Sequence, residues 1–190
     1  MSGFKLIPFR SQTGGFEALL APYIEPLYRL AYRFVGSRHD AEDLVQELLV
    51  RLYPKYGELK KVKELRPWLA RSLRNLHIDR IRSRQRSALG NSDPGSDTLL
   101  ETISDTYPGP ESSAEQNDRT QQLTRALGQL SEEHRTVIIM HDMEEYTLPE
   151  LAEVFEVPLG TMKSRLHRAR QNLREALQME PSEQSRRVKG

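Results

Sequence analysis

Three stretches of the chain carry side chains whose types and spacing could do chemistry, and in each that chemistry is the recognition of charge. Between Arg66 and Arg86 the sequence reads RPWLARSLRNLHIDRIRSRQR, with seven arginines against a single acid, Asp79. Guanidinium groups at this density neutralise phosphate, and Trp68 among them could stack on an unpaired base. The charge alone fits a solvated helix face or a membrane-surface segment equally well, and Trp68 could as readily anchor a core. In the second stretch Lys163, Ser164, His167 and Arg168 cluster near the start of the last apolar-periodic segment, while Arg165, Arg170 and Arg174 lie at other angles. Lys and Arg donate to guanine acceptors and Ser serves several bases, whereas arginines off that face suit phosphate, which orients without specifying. In the third, His39, Asp40, Glu42, Asp43, Gln46 and Glu47 crowd together. A metal-dependent hydrolase could draw His39, Asp40, Glu42 and Glu47 from that cluster, but His77, His134, His141 and His167 are scattered and no two histidines share a metal-ligand spacing. We therefore expect no enzymatic activity, no catalytic residue, no metal and no cofactor.

The elements that must position these groups follow from apolar periodicity. Most of the chain repeats at helical spacing and no segment sustains strand alternation, so the expected fold class is all-α. A first helix is placed from near Pro26, because a helix through both Pro22 and Pro26 would lose two backbone donors. Asp40 stands where an N-cap would begin the next, whose stripe Ala41, Leu44, Val45, Leu48, Leu49 and Leu52 leaves Asp43, Gln46, Glu47 and Arg51 facing elsewhere. Leu69, Leu73 and Leu76 supply the apolar face of the arginine-rich segment. Ser131, Glu132 and Glu133 open a later helix, and Thr147-Leu148-Pro149-Glu150 fits a capping box that starts a helix over Leu148 to Phe155. Glu156-Val157-Pro158 gives a short break, after which Met162, Leu166, Ala169, Leu173 and Ala176 step by four and three along one buried seam. Two helices at a tight turn, the second with a basic face near its start, make a helix-turn-helix.

Between Ser87 and Asp118 the pattern breaks into Pro, Gly, Ser and Asn with seven acids and no Lys or Arg. That composition reads as a flexible acidic linker. It divides the chain into two small helical domains, residues 16–86 and 119–178, joined by residues 87–118. With 190 residues in all, neither core can be large. Lys and Arg total 28 against 27 Asp and Glu, so the net charge of +1 argues for no polyanion partner by itself and only the charge distribution does. The absence of cysteine removes disulfides, thiolate metal sites and thiol nucleophiles together. No stretch approaches the roughly 18 apolar residues of a membrane helix, and no secretory signal core opens the chain, so a cytoplasmic location is expected.

The string PLGTMKSRLHRARQNLREAL, preceded by LSEEHRTVIIMHDMEEYTLPELAEVFEV, resembles the carboxy-terminal domain of extracytoplasmic-function sigma factors of bacterial RNA polymerase, members of the sigma-70 family. DAEDLVQELLVRLY resembles the family's core-binding helix and the Arg66–Arg86 string its promoter-melting helix, so the resemblance spans about Phe16 to Leu177. It implies a sigma factor that binds the core enzyme and directs promoter recognition, strand opening and transcription initiation. By resemblance, Asp40, Asp43, Gln46 and Glu47 dock on the clamp helices of the polymerase largest subunit. Trp68, Arg71, Arg74, Asn75, Asp79 and Arg82 meet the minus-ten element as its strands part. Lys163, Ser164, His167 and Arg168 read the minus-thirty-five element, supported by Arg165 and Arg170. The implied partners are the core polymerase and promoter DNA, with no small-molecule substrate. A membrane-linked anti-sigma factor holds many members inactive and belongs to what the resemblance implies, although no residue here points to it. The acidic linker would enter the polymerase channel as a nucleic-acid mimic.

The Tyr56–Leu65 loop, YGELKKVKEL, lacks the Gly-containing sequence many members use to grip a flipped base, and Met162 stands where valine is common, on the buried seam. Met1–Gly15 and Gln178–Gly190 match nothing and are expected to be mobile. The alternative reading is a helix-turn-helix regulator that binds a palindromic duplex operator as a homodimer. Against it stands the acidic cluster at Asp40–Glu47 beside an arginine-rich helix, which a dimer module does not need.

Overall fold

The computed structural model describes residues 14–90 and 114–179, and side chains over 14–87 and 119–178. The expected terminal tails fall almost wholly outside this range, as do residues 91–113 of the expected linker. All the regular structure among the described residues is helical.

Helix α1 spans Gly14–Val35 and runs through both prolines, which corrects the start expected near Pro26. Its first turns carry Phe16 and Leu20 into the core, at 7% and 1% exposure. Burial worth about 1.5–3 kcal/mol per side chain offsets the two lost backbone donors, and Pro22 itself lies on the exposed side. Gly36, at φ 71°, ends α1 in the left-handed region, and its N–H reaches the Tyr32 carbonyl at 2.7 Å. The turn delivers Ser37, not Asp40, to the N-cap of α2 (Arg38–Leu52), where its hydroxyl accepts from the Asp40 N–H at 3.4 Å. Asp40 therefore sits in the first turn, still at the positive end of the helix dipole.

After α2 a 3₁₀ turn at Tyr53–Lys55 leads into α3 (Tyr56–Leu59), a single helical turn inside the segment read as a loop. Leu59, 1% exposed, is the apolar residue that folds it back onto the core. Helix α4 (Leu65–Gly90) lays Leu69, Ala70 and Leu73, all fully buried, against α1 and α2.

In the carboxy-terminal module α5 (Ala114–Gln129) and α6 (Glu132–Ile138) pack on α8 (Leu159–Met179), with α7 (Leu148–Phe155) set against α8 and α4. Both α4 and α5 reach into the range expected to be linker. Ser131 caps α6 through the His134 N–H, and Thr147 and Glu150 form the reciprocal capping box of α7. Glu156, at φ 54°, turns the chain between α7 and α8. The Met162, Leu166, Ala169 and Ala176 seam is buried and Leu173 half-buried. The sequence pattern did not foresee the π-helical segment at Ile139–Met143, where the Glu144 N–H bonds Ile139 and the Tyr146 N–H bonds Met140. The widened turn rotates the chain so that Glu144 and Tyr146 point inward, at 8% and 4% exposure.

Candidate polymerase and nucleic-acid interfaces

On α8, Lys163, Ser164, His167 and Arg168 are all exposed. At spacings of one, four and five residues they share one face, opposite the buried seam. Ser164 donates to the Gly160 carbonyl at 3.1 Å, a bond within its own helix. The two arginines expected to support them are tied inward. Arg165 pairs with Glu133 at 2.7 Å and lies 5.6 Å from the Phe155 ring centre, while Arg170 Nε donates to Asp142 Oδ2 at 3.0 Å and its Nη2 to Asp142 Oδ1. The Arg170 hydrogen bond holds the Asp142 carboxyl below its ordinary range, against the opposing effect of burial. The bond fixes α8 to the π-helical turn, so the exposed quartet is carried on a helix anchored at its middle.

The residues expected at the minus-ten element do not form one free surface. Trp68 is half-buried, Asn75, Asp79 and Arg82 are exposed, and Arg71 and Arg74 meet the carboxy-terminal module. Arg71 pairs with Glu156 at 2.5 Å, and the Arg74 guanidinium covers the Phe155 ring at 4.3 Å. Burial lowers the Arg74 pKa from its ordinary value, and its buried Nε has no hydrogen-bond partner. Asp79 turns instead toward α2, where it lines an open groove of about 790 Å3 with Glu47, Arg51, Arg80, Arg82 and Arg86.

On α2, Asp43 and Gln46 are exposed, and Asp40 and Glu47 are partly covered. Glu47 accepts from Arg80 Nε at 2.9 Å and from Arg51 at 2.6 Å. Burial alone would raise its pKa, but the two arginines lower it and keep the carboxylate ionised. Arg80 also donates to the Asp43 carbonyl at 3.1 Å, so the acidic helix and the arginine-rich helix brace each other. Sequence reasoning missed Val50, 69% exposed and one turn beyond Gln46 and Glu47. Its only sequence signal was an apolar residue off the buried stripe.

Sequence reasoning also missed a set of charged contacts between the modules. Glu144 accepts from Arg33 Nε at 2.5 Å and Arg29 Nε at 3.4 Å. Arg66 donates to Glu150 at 3.1 Å and to the Glu144 carbonyl at 2.9 Å, and its guanidinium lies 4.1 Å from the Tyr146 ring centre. His77, stacked on Phe34, faces Glu132 at 3.3 Å. Burial opposes ionisation of Glu132, but His77, Arg135 and Thr136 outweigh it and hold its pKa low. These pairs span 55 to 115 residues, and no local pattern announces them.

Residues 19–87 match the family described as Sigma-70 region 2, and residues 120–173 the family described as Sigma-70, region 4. The chain is 30% identical over 165 residues to the ECF RNA polymerase sigma factor SigW of Bacillus subtilis, covering 85% of this chain and 88% of that protein. It is 32% identical to the ECF RNA polymerase sigma factor SigE of Mycolicibacterium smegmatis, over 88% of this chain and 63% of that longer one. Among solved structures, the sigma factor RpoE of Bartonella quintana, in complex with the anti-sigma factor NepR, superposes with a TM-score of 0.68 at 27% identity, over 87% of this chain and 98% of that one. No described helix is long and apolar enough to cross a membrane.

Proposed function

The chain belongs to the ECF sigma factors of the sigma-70 family, RNA polymerase subunits that direct transcription initiation, and on that premise we propose how its residues divide the work. The face of α2 formed by Asp40, Asp43, Gln46 and Glu47 docks on the clamp helices of the polymerase largest subunit. Val50 supplies the apolar centre that such a polar-rimmed interface needs. Trp68, Arg71, Arg74, Asn75, Asp79 and Arg82 on α4 take up the minus-ten element as its strands part, with arginines on backbone and Trp68 or Asn75 on an unstacked base. The exposed quartet on α8 enters the major groove of the minus-thirty-five element, and Arg165 and Arg170 stiffen the helix that carries it.

The observation that carries this reading is the exposed quartet itself, held on an internally braced helix downstream of a capped turn. Polar side chains that share a face and are spent on no tertiary contact suit base recognition. The protein performs no covalent chemistry in this reading, and strand opening draws its free energy from binding. Two weak sites act as one strong site once both modules sit on the same core enzyme.

By analogy with the B. quintana factor, described with its anti-sigma factor, we place such an inhibitor among the partners, and the site of action is where the polymerase works, the cytoplasm. Transcription from a promoter library by purified core polymerase, with and without this chain, tests the proposal. A restricted set of promoters should become active only when the chain is present. If the chain alone binds a palindromic duplex as a homodimer and core polymerase gains no promoter selectivity, the reading fails.

A further inference from the structure

Among the described residues three large apolar side chains are exposed, Val50, Tyr53 and Leu159. The first two flank the end of α2, where Val50 serves the docking face. Leu159, 41% exposed, belongs to the carboxy-terminal module and is the first residue of α8. The Met162 N–H bonds the Pro158 carbonyl at 3.0 Å, which closes the opening turn around Leu159 and fixes its direction. At 3.6 residues per turn Leu159 lies about 40° round the helix from Lys163 and about 80° from His167. It therefore borders the exposed quartet, on the side toward the buried seam, at the end of α8 that leads into a major groove.

Gly160 follows it, about 100° further round and in the middle of the quartet's face. Neither usual reason for a glycine applies there. Among the described glycines only Gly36 takes a positive φ, and a Cβ placed on Gly160 would meet nothing within 4 Å. Glycine is a poorer helix former than alanine, so one that the fold does not require points to a close approach from outside. We propose that Leu159, beside the bare backbone of Gly160, contacts the C5-methyl group of a pyrimidine in the minus-thirty-five duplex. The chain then tells thymine from uracil, and 5-methylcytosine from cytosine, pairs that share every hydrogen-bonding group.

The inference rests on the sigma-factor reading and deepens it, because it adds to a face of polar groups one that hydrogen bonds cannot replace. A leucine held in water gains by burial only against something apolar, and the C5-methyl is the apolar group that a base pair presents in the major groove. C5 lies on the outer side of the pyrimidine ring, next to the backbone of its own strand. A side chain at the rim of the reading face is placed to meet it, while the quartet meets the nitrogen and oxygen atoms nearer the centre of the groove. The same methyl has two sources, thymine and methylated cytosine, and the experiment separates them.

A promoter that core polymerase uses with the unaltered chain is resynthesised with each thymine of its minus-thirty-five element replaced singly by uracil, and each cytosine by 5-methylcytosine, on either strand. Competition against the unmodified promoter for the complex of chain and core reads the effect. Uracil at one thymine should weaken binding by about three- to fivefold, the worth of one buried methyl, or methylation at one cytosine should tighten it by the same factor. The first result assigns the contact to thymine and the second to methylated cytosine. Leu159→Ala should abolish that response with an unchanged melt, since the side chain is exposed, while the preferences set by Lys163 and Arg168 persist. Gly160→Ala should not lower the melt, because the added Cβ meets open space, yet should weaken promoter binding. A response at no position overturns the proposal, as does one that survives Leu159→Ala, or Gly160→Ala binding as tightly as the unaltered chain. If no promoter is used at all, the sigma-factor reading fails and takes this inference with it, whereas promoter use beside a flat methyl scan sinks this inference alone.

Discussion

Arg168 and Arg170 lie two residues apart on α8 and should fail in opposite ways when each is changed to Ala. Arg168 is exposed, and among the described residues no carboxylate pairs with it. Its removal should leave folding untouched and cost only what it contributes at a base edge, about 1–3 kcal/mol, or roughly 5–150-fold in discrimination at one promoter position. Arg170 is bound to Asp142 through two nitrogens, with the two side chains 43% and 30% exposed. Solvent screens a pair this exposed, so its loss should cost no more than about 1 kcal/mol. For a protein of this size that is a fall in Tm of about 2–4 °C. Because Arg170 positions the helix as a whole, its loss should weaken all minus-thirty-five sequences alike.

The assay is a transcription competition between promoters randomised upstream, run with core polymerase and each variant, beside thermal melts of the free proteins. Arg168→Ala should show an unchanged melt and a relaxed preference at one position, and Arg170→Ala a lowered melt with its preference retained. If both variants melt early and lose all promoters equally, the separation between a reading face and a bracing face is wrong.

Asn75→Ala, at an exposed position on α4, should impair strand opening, read by permanganate reactivity of unpaired thymines, while core binding in a pull-down stays intact. Asp142→Asn should remove part of the acid sensitivity of folding. The folded carboxyl is held below its ordinary value of 3.8, so its contribution is fully present above that value and is lost as pH falls through the lowered one. Tm measured from pH 5 to pH 3 should fall less steeply in the variant, and identical slopes would discount the Arg170 bond. Met162→Ala, at a side chain with no exposure, should destabilise by about 2–5 kcal/mol, whereas Met162→Val should cost far less in a urea titration.

Much of the fold was legible because it is local. The capping box at Thr147 and Glu150, the break at Glu156–Pro158 and the stepped seam of α8 each lie within a few residues, where helix geometry alone decides which atoms meet. The misplacements were also local, one with a tertiary cause and one with a backbone cause. Pro22 and Pro26 argued against a helix, yet α1 passes through both because the buried Phe16 and Leu20 outweigh two missing donors. Asp40 resembled a cap, but the left-handed Gly36 moved the cap to Ser37.

The sequence by itself determined the longer helices, the apolar stripe of each, and that α8 displays Lys163, Ser164, His167 and Arg168 together, since periodicity and capping act over one or two turns. Only the tertiary structure decided which charges are spent. Arg71 and Arg82 look alike in sequence, but Arg71 meets Glu156 far along the chain, and Arg170, placed by spacing on a phosphate-facing side, is tied to Asp142. The reason is physical: a guanidinium's partner is set by distances of a few ångströms across packed helices, and spacing along the chain carries no record of them.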